Sequence, residues 1–311
     1  MRSLLFPRGK QFPTLFVWLV LATTSGCSSS PSTMQPSAEI SREPASIVRR
    51  RDAVMSEMKN LPEHAWAGSY YRGDHLGENI TLSLAPASGI SVTNFGCLGY
   101  YGGNEGSLKV LPNGHLKFGF NLPNEQKGPF PDEVIPVRWG ERHYLIPPSG
   151  MFDFVDAINS NREPSILGMS GFLLRVGDET KPVKGLPDLP EPYRSAIRAV
   201  PLKANVKFVE TLPHKKNKFI CFSNYRISLD RGSEAGILPG MLLQVEPPNR
   251  VYERLKISAV EPGKAVGDLA IMTDSCESQK SVPDTSWVFT TGAYDPGFYE
   301  RMKSHENSGA G

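Results

Sequence analysis

The sequence has little of what marks a catalytic or nucleic-acid-binding chain. Charge of neither sign dominates, with 34 Lys and Arg against 32 Asp and Glu. No polyanion partner is therefore indicated, and nucleic acid is not expected as a target. No uninterrupted run of roughly 20 apolar residues occurs, so a helix spanning a hydrocarbon core is the weaker reading. The six histidines, His64, His75, His115, His143, His214 and His305, form neither HExxH nor a His/Cys zinc spacing. No metal or cofactor is expected from them. Gly168 to Phe172, "GMSGF", approaches the GxSxG elbow of hydrolases but lacks the strand-to-helix context that would expose the serine. The Gly-rich stretch "GCLGYYGGNEG" at 96–106 has no following helix to hold a phosphate. Its glycines read as bends or bulges in a curved sheet.

What is present starts at the N-terminus. Arg2, Arg8 and Lys10 precede an apolar run from Phe12 to Ala22, interrupted by Pro13 and Thr14, which is the layout of a secretory signal peptide. Thr24, Ser25 and Gly26 then lead directly to Cys27. "LATTSGC" resembles a bacterial lipobox, with Thr24 where Leu is usual. The resemblance implies cleavage after residue 26 and acylation of Cys27. More than one acyl chain, at about 0.8 kcal/mol per buried methylene, anchors a protein stably. Three basic and no acidic residues precede Cys27, so cleavage turns the formal charge of +2 slightly negative. By the family's sorting rules Ser28, rather than Asp, implies an outer-membrane lipoprotein on the periplasmic face. The partners so implied are the membrane, through the acyl chains, and an envelope protein.

Three further cysteines, Cys97, Cys221 and Cys276, would then meet an oxidising compartment, where at most one intramolecular pair can form. Cys221 sits in "KFICFSNYRISL" and Cys276 follows "DLAIMTDSC". They are the disulfide candidates, leaving Cys97 as a buried small hydrophobe.

The rest divides by pattern. Residues 1–26 form the signal peptide and 27–44 a Ser/Pro-rich lipid-anchored tether, too poor in apolar groups to order itself. At 45–60, Ile47, Val48, Val54, Met55 and Met58 recur at helical spacing behind Pro44. Arg49, Arg50 and Arg51 read as a solvated face. Residues 61–178 alternate with period two and predict an antiparallel β domain with one short helix. Residues 179–200 form a Pro-rich linker with a short helix at "YRSAIRAV". Residues 201–295 predict a small β-barrel-like domain, and 296–311 a disordered tail. The fold class is thus mainly β: two antiparallel β domains, each a barrel or a sandwich.

Two hairpins can be read in detail. In "SLKVLPNGHLKFGF" a two-residue Asn-Gly turn would mix apolar and charged side chains on both faces. A three-residue loop of Pro112, Asn113 and Gly114 instead pairs Val110 with Leu116 and Leu108 with Phe118, and puts Gly where a left-handed residue is needed. "EVIPVRWGERHYLIP" predicts a hairpin with Val137 and Trp139 opposite Ile146 and Tyr144. In "SGMFDFVDAINS" Met151, Phe154, Val155 and Ile158 share a helical face, with Ser149 as cap.

"WAGSYY" followed by "ENITLSLAP" and a meander of hairpins resembles the opening of lipocalin-like barrels over residues 64–146, which implies a ligand cavity. The aromatics Trp66, Tyr70, Tyr71, Tyr100 and Tyr101 could line one, but core filling is the commoner use. "RISLDRGSEAGILPGMLLQV" resembles the strand and turn of PDZ domains, with Met241 where Asp is usual, and also small β-barrels of envelope assembly proteins. In both comparisons Gly236 and Gly240 serve backbone geometry.

The expected function is non-catalytic binding or scaffolding in the envelope, with no catalytic residues. Two readings compete: a carrier of a small apolar ligand, and an envelope hydrolase using Cys97 with His143 as base. Asp74, His75 and Glu78 in "GDHLGE" read as a polar loop.

Overall fold

In the computed structural model of the protein, the described residues are 42–61, 63–74, 77–124, 130–164, 171–216, 221–246, 253–273, 283–297 and 301. The expected signal peptide, Cys27, most of the tether, Cys276 and most of the tail lie outside them. Residues 40–311 form one compact unit, built from two closed antiparallel barrels.

The unit begins with helix α1 (Ala45–Met58). Strands β1 (Gly68–Arg72), β2 (Asn79–Ala85), β3 (Gly89–Gly96), β4 (Gly99–Val110), β5 (Leu116–Phe120), β6 (Glu133–Trp139), β7 (Arg142–Ile146) and β8 (Leu173–Arg175) follow, and β8 closes on β1. Alternation sends Tyr70, Leu82, Leu84, Ile90, Val92, Leu116, Phe118, Leu145 and Leu173 into the barrel, where they form one contiguous apolar cluster. Eight strands leave an interior just wide enough for side chains to fill.

The predicted β4–β5 register is the one observed, Val110 opposite Leu116 and Leu108 opposite Phe118. Leu111 N donates to His115 O at 2.8 Å across the loop, and Gly114 takes φ 81°. The β6–β7 register differs from expectation by two residues: Val137 faces Tyr144 and Trp139 faces Arg142. The reason is a tighter turn. Gly140 at φ 62° suits the first central position of a two-residue hairpin, which the four-residue loop overlooked. A shift of two leaves every side chain on its expected face.

Helix α2 (Met151–Asn159) follows a 3-10 turn at Pro148–Gly150. Gly150, not Ser149, holds its N-cap position, and no side chain caps it. The expected helix at "YRSAIRAV" is only a 3-10 turn, Arg194–Ala196, with Ile197 already extended at ψ 130°. The Pro-rich stretch before it is no free linker. It packs across the first barrel, with Val183 and Leu189 buried, Trp139 Nε1 donating to Gly185 O at 2.8 Å, and Arg142 Nε donating to Lys181 O at 2.6 Å.

The second barrel comprises β9 (Lys203–Lys216), β10 (Cys221–Leu229), β11 (Leu242–Val245), β12 (Leu255–Glu261), β13 (Lys264–Thr273) and β14 (Val288–Thr290), in the order β10-β13-β12-β11-β14-β9. Its interior joins α2 and the outward faces of β6 and β7 in a second cluster, from Ile135 and Trp139 through Phe154 to Tyr225, Leu243 and Phe289. Gly236 and Gly240 have φ 79° and 87°. A Cβ on Gly240 would lie 2.8 Å from the Phe152 ring, so close packing against α2 adds to the left-handed backbone.

Candidate interaction surface

The antiparallel order of the first barrel sorts its connections onto two rims. One rim carries the turn at Cys97–Leu98 and the β1–β2, β5–β6 and β7–β8 connections. The other carries the β2–β3 loop, the Pro112 loop and the Gly140 turn, with His143 one residue into β7. Cys97 and His143 therefore occupy opposite rims, so the nucleophile–base pair is not assembled.

Each residue also has other partners. His143 Nδ1 and its backbone N–H both contact Asp178 Oδ2, at 2.8 Å each. Cys97 Sγ lies 3.7 Å from the Tyr101 hydroxyl. Cys97 is exposed and free, which corrects its assignment to the core. The cause is local, because Gly96 pairs with Gly99 and leaves Cys97 and Leu98 as the two turn residues. Gly168, Met169 and Ser170 of "GMSGF" lie outside the described residues.

Three of the exposed large apolar groups lie on the Cys97 rim. Leu98 is 80 % exposed, Tyr101 44 % and Phe95 37 %. The hairpin tip is nonetheless ordered by its own contacts. The Tyr101 ring crosses Gly96, where a Cβ would meet it at 2.2 Å, and the Tyr101 hydroxyl accepts the Leu98 N–H at 3.4 Å. Phe95 and Tyr100 meet edge to face at 5.6 Å, and the ladder shifts register between Asn94 and Phe95, a bulge that re-aims the tip. On the neighbouring β1–β2 loop, Asp74 Oδ1 accepts the Gly77 N–H at 2.7 Å, and Asn94 Nδ2 donates to Glu78 Oε1 at 2.6 Å. His75 lies outside the described residues. Of the five aromatics read as core candidates, Tyr70 is fully buried and Tyr101 is not.

Helix α1 lies along β2, β3 and β4 and fixes where the chain comes in. At its far end the Glu57 carboxylate accepts the Ala87 and Ser88 N–H groups at 2.9 and 2.6 Å on the His143 rim. Within its first two turns, Ser91 Oγ donates to Ile47 O at 3.2 Å and Arg50 Nε donates to Glu105 at 3.0 Å. At its start, Ile47 Cδ1 lies 3.0 Å from where a Gly103 Cβ would be. Glu43 is near enough to Tyr100 to help burial raise that phenol's pKa. Helix α1 thus runs from the middle of the barrel wall to the His143 rim, and residues 42–44 lead in from the side of the Cys97 rim. Arg50 and Arg51 are ion-paired, with Glu105 and Glu43, rather than merely solvated.

The His143 rim carries a polar cluster beside the half-exposed Val110 and Val176. Asp178 is fully buried, accepts from His143 and pairs with Lys181. Burial opposes its ionisation, but Lys181 and His143 outweigh that and hold its pKa below the usual carboxylate range. Burial, joined by the charges of Arg175 and Arg138, keeps the His143 pKa below its ordinary value despite Asp178. Arg175 sits over the Tyr70 ring at 5.5 Å and donates to its hydroxyl at 3.1 Å. Burial nonetheless pushes the Tyr70 pKa up to about 12. Each group already has a protein partner, so this cluster works as a clamp on residues 178–181. Sequence offered no local signal for it, since His143 and Asp178 lie 35 apart.

Cys221 opens β10, is buried and is disulfide-bonded. It stands opposite Thr273 in β13, three positions before Cys276. Among the described residues no three His, Cys, Asp or Glu side chains group to hold a metal ion, and no helix is long and apolar enough to cross a membrane.

No protein-family model matches the chain, and neither a curated protein nor a solved structure is significantly similar to it.

Proposed function

We propose that the protein is a lipid-anchored component of a bacterial cell envelope, held by acyl chains on Cys27 at the periplasmic face of the outer membrane, and that it binds or scaffolds other envelope components without catalysis. The observation that carries this reading is the run Thr24-Ser25-Gly26-Cys27 at the end of an apolar segment preceded by basic residues. Two further features support it. Cys221 is in a disulfide while Cys97 is free. With Cys27 acylated, Cys276 is the one cysteine left to pair with Cys221, and an oxidising compartment would maintain that bond. The ligand-carrier alternative is less well supported, because buried apolar side chains form one packed cluster inside the first barrel.

Detergent phase partition tests the anchor. Protein from the native host should enter the detergent phase, and a Cys27→Ser variant should stay in the aqueous one. Wild-type protein found in the aqueous phase would refute anchoring. A non-reducing peptide map should join the Cys221 and Cys276 peptides.

A further inference from the structure

The Cys97 rim brings together two features that nothing in the fold requires to coincide: the side from which the N-terminal chain joins the folded unit, and the most exposed large apolar side chain among the described residues, Leu98, flanked by Phe95 and Tyr101. Between Cys27 and Arg42 run 14 residues. Even fully extended they reach only about 50 Å at roughly 3.3–3.6 Å per residue. A unit leashed on the side of the Cys97 rim keeps that rim within reach of the bilayer.

The tip is also suited in detail to a lipid interface. Backbone N–H groups entering a medium without water must already be bonded, and the Leu98 N–H is bonded to Tyr101. Leucine and phenylalanine supply apolar area, while tyrosine carries a polar end that stays at headgroup level. Because the tip is held by its own ring contacts, docking orders few further groups. Asp74 and Glu78 stand on the adjacent loop, so attraction of anionic headgroups is not what this surface provides. The chemistry favours a zwitterionic membrane surface entered by apolar side chains.

We propose that the β3–β4 hairpin tip, Phe95 to Tyr101, docks in the interfacial layer of the bilayer that anchors Cys27, so that the barrel is held at two points with its His143 rim facing away. This rests on the lipoprotein reading. Two-point attachment fixes an orientation that a tether alone leaves free, and it presents the second barrel and the His143 rim to partners at a set height.

The test uses the full-length lipidated protein in phosphatidylcholine vesicles, with Cys97 carrying an environment-sensitive nitrobenzoxadiazole label. A Cys97→Ser, Asn113→Cys variant carries the same label on the opposite rim as reference. The label at position 97 should shift to the blue, and spin-labelled lipid should quench it at least about threefold more than the label at 113, as insertion some 5–10 Å deep requires. Leu98→Asp should abolish the difference while leaving the melting temperature unchanged, because Leu98 is exposed. Equal quenching at 97 and 113, with both labels open to aqueous iodide, would overturn the proposal. So would a tip that stays wet on vesicles and crosslinks to a protein in intact envelopes. The mass of the Cys27 peptide separates the two ideas. Acyl mass present with an unquenched Cys97 label sinks the docking alone, whereas its absence sinks the anchoring and the docking with it.

Discussion

The two barrels bury their strands differently. In the first, β1 to β5 have one apolar face, turned inward, and an outer face that meets α1 through small polar groups such as Ser91. Its β6 and β7 are apolar on both faces, Val134 and Leu145 inward, Ile135, Trp139 and Tyr144 outward onto α2 and the second barrel. In the second barrel every long strand is one-sided, and its outer surface carries a cross-strand row of alternating charge, Glu210, Arg226, Asp268 and Lys256, with Arg226 and Asp268 at 3.0 Å. The second barrel thus completes its core with groups lent by the first. The first keeps a separate core of its own, and the β3–β4 hairpin tip on its Cys97 rim takes part in neither cluster.

Substitutions can sharpen that contrast. The largest expected effect is at the shared core. Phe154→Ala removes a ring that packs against Tyr144 at 5.1 Å and Phe172 at 5.5 Å, and should cost about 3–5 kcal/mol. Calorimetry should show both barrels melting earlier in a single transition. Two separated transitions would mean that the cores are independent.

Next comes the polar clamp. Asp178→Asn should cost about 2–4 kcal/mol, because the change removes the buried carboxylate that accepts from the His143 ring and backbone N–H and pairs with the Lys181 ammonium. The clamp also sets a pH dependence. The folded pKa of His143 lies below its ordinary value of 6.5, so its contribution is full above that value and fades as pH falls through the folded one. The folded pKa of Asp178 is lowered too, from 3.8, so its share is present above that value and is lost on further acidification. Urea midpoints measured downward from pH 7 should therefore fall in two stages, and Asp178→Asn should remove the lower stage. The smallest effect is at a turn. Gly114→Ala at φ 81°, where a Cβ meets nothing within 4 Å, should cost about 1 kcal/mol from backbone strain alone, read as a small drop in melting temperature.

The same contrast explains what could be read from sequence. Where one face is wet, alternation locates strands well: residues 201–295 form the expected small barrel, and the Pro112 loop register follows from keeping Leu108, Val110, Leu116 and Phe118 on one face. Where both faces are buried, alternation loses its power to choose a register. The β6–β7 pairing, two residues out, had to be decided by Gly140. The rims were hardest. Apolar character argued for burying Cys97, whereas the adjacent glycines put it on a turn. His143, Arg175 and Asp178 converge only through barrel closure. Prolines between 182 and 192 signalled a break in regular structure but not its packing across the barrel.

The most direct single measurement is the intact mass of the N-terminal peptide from protein purified out of its native membrane. A peptide beginning at Cys27 and carrying diacylglyceryl and an amide-linked acyl chain is the predicted result. A peptide that starts elsewhere, or one that starts at Cys27 with an unmodified thiol and amine, would contradict the account.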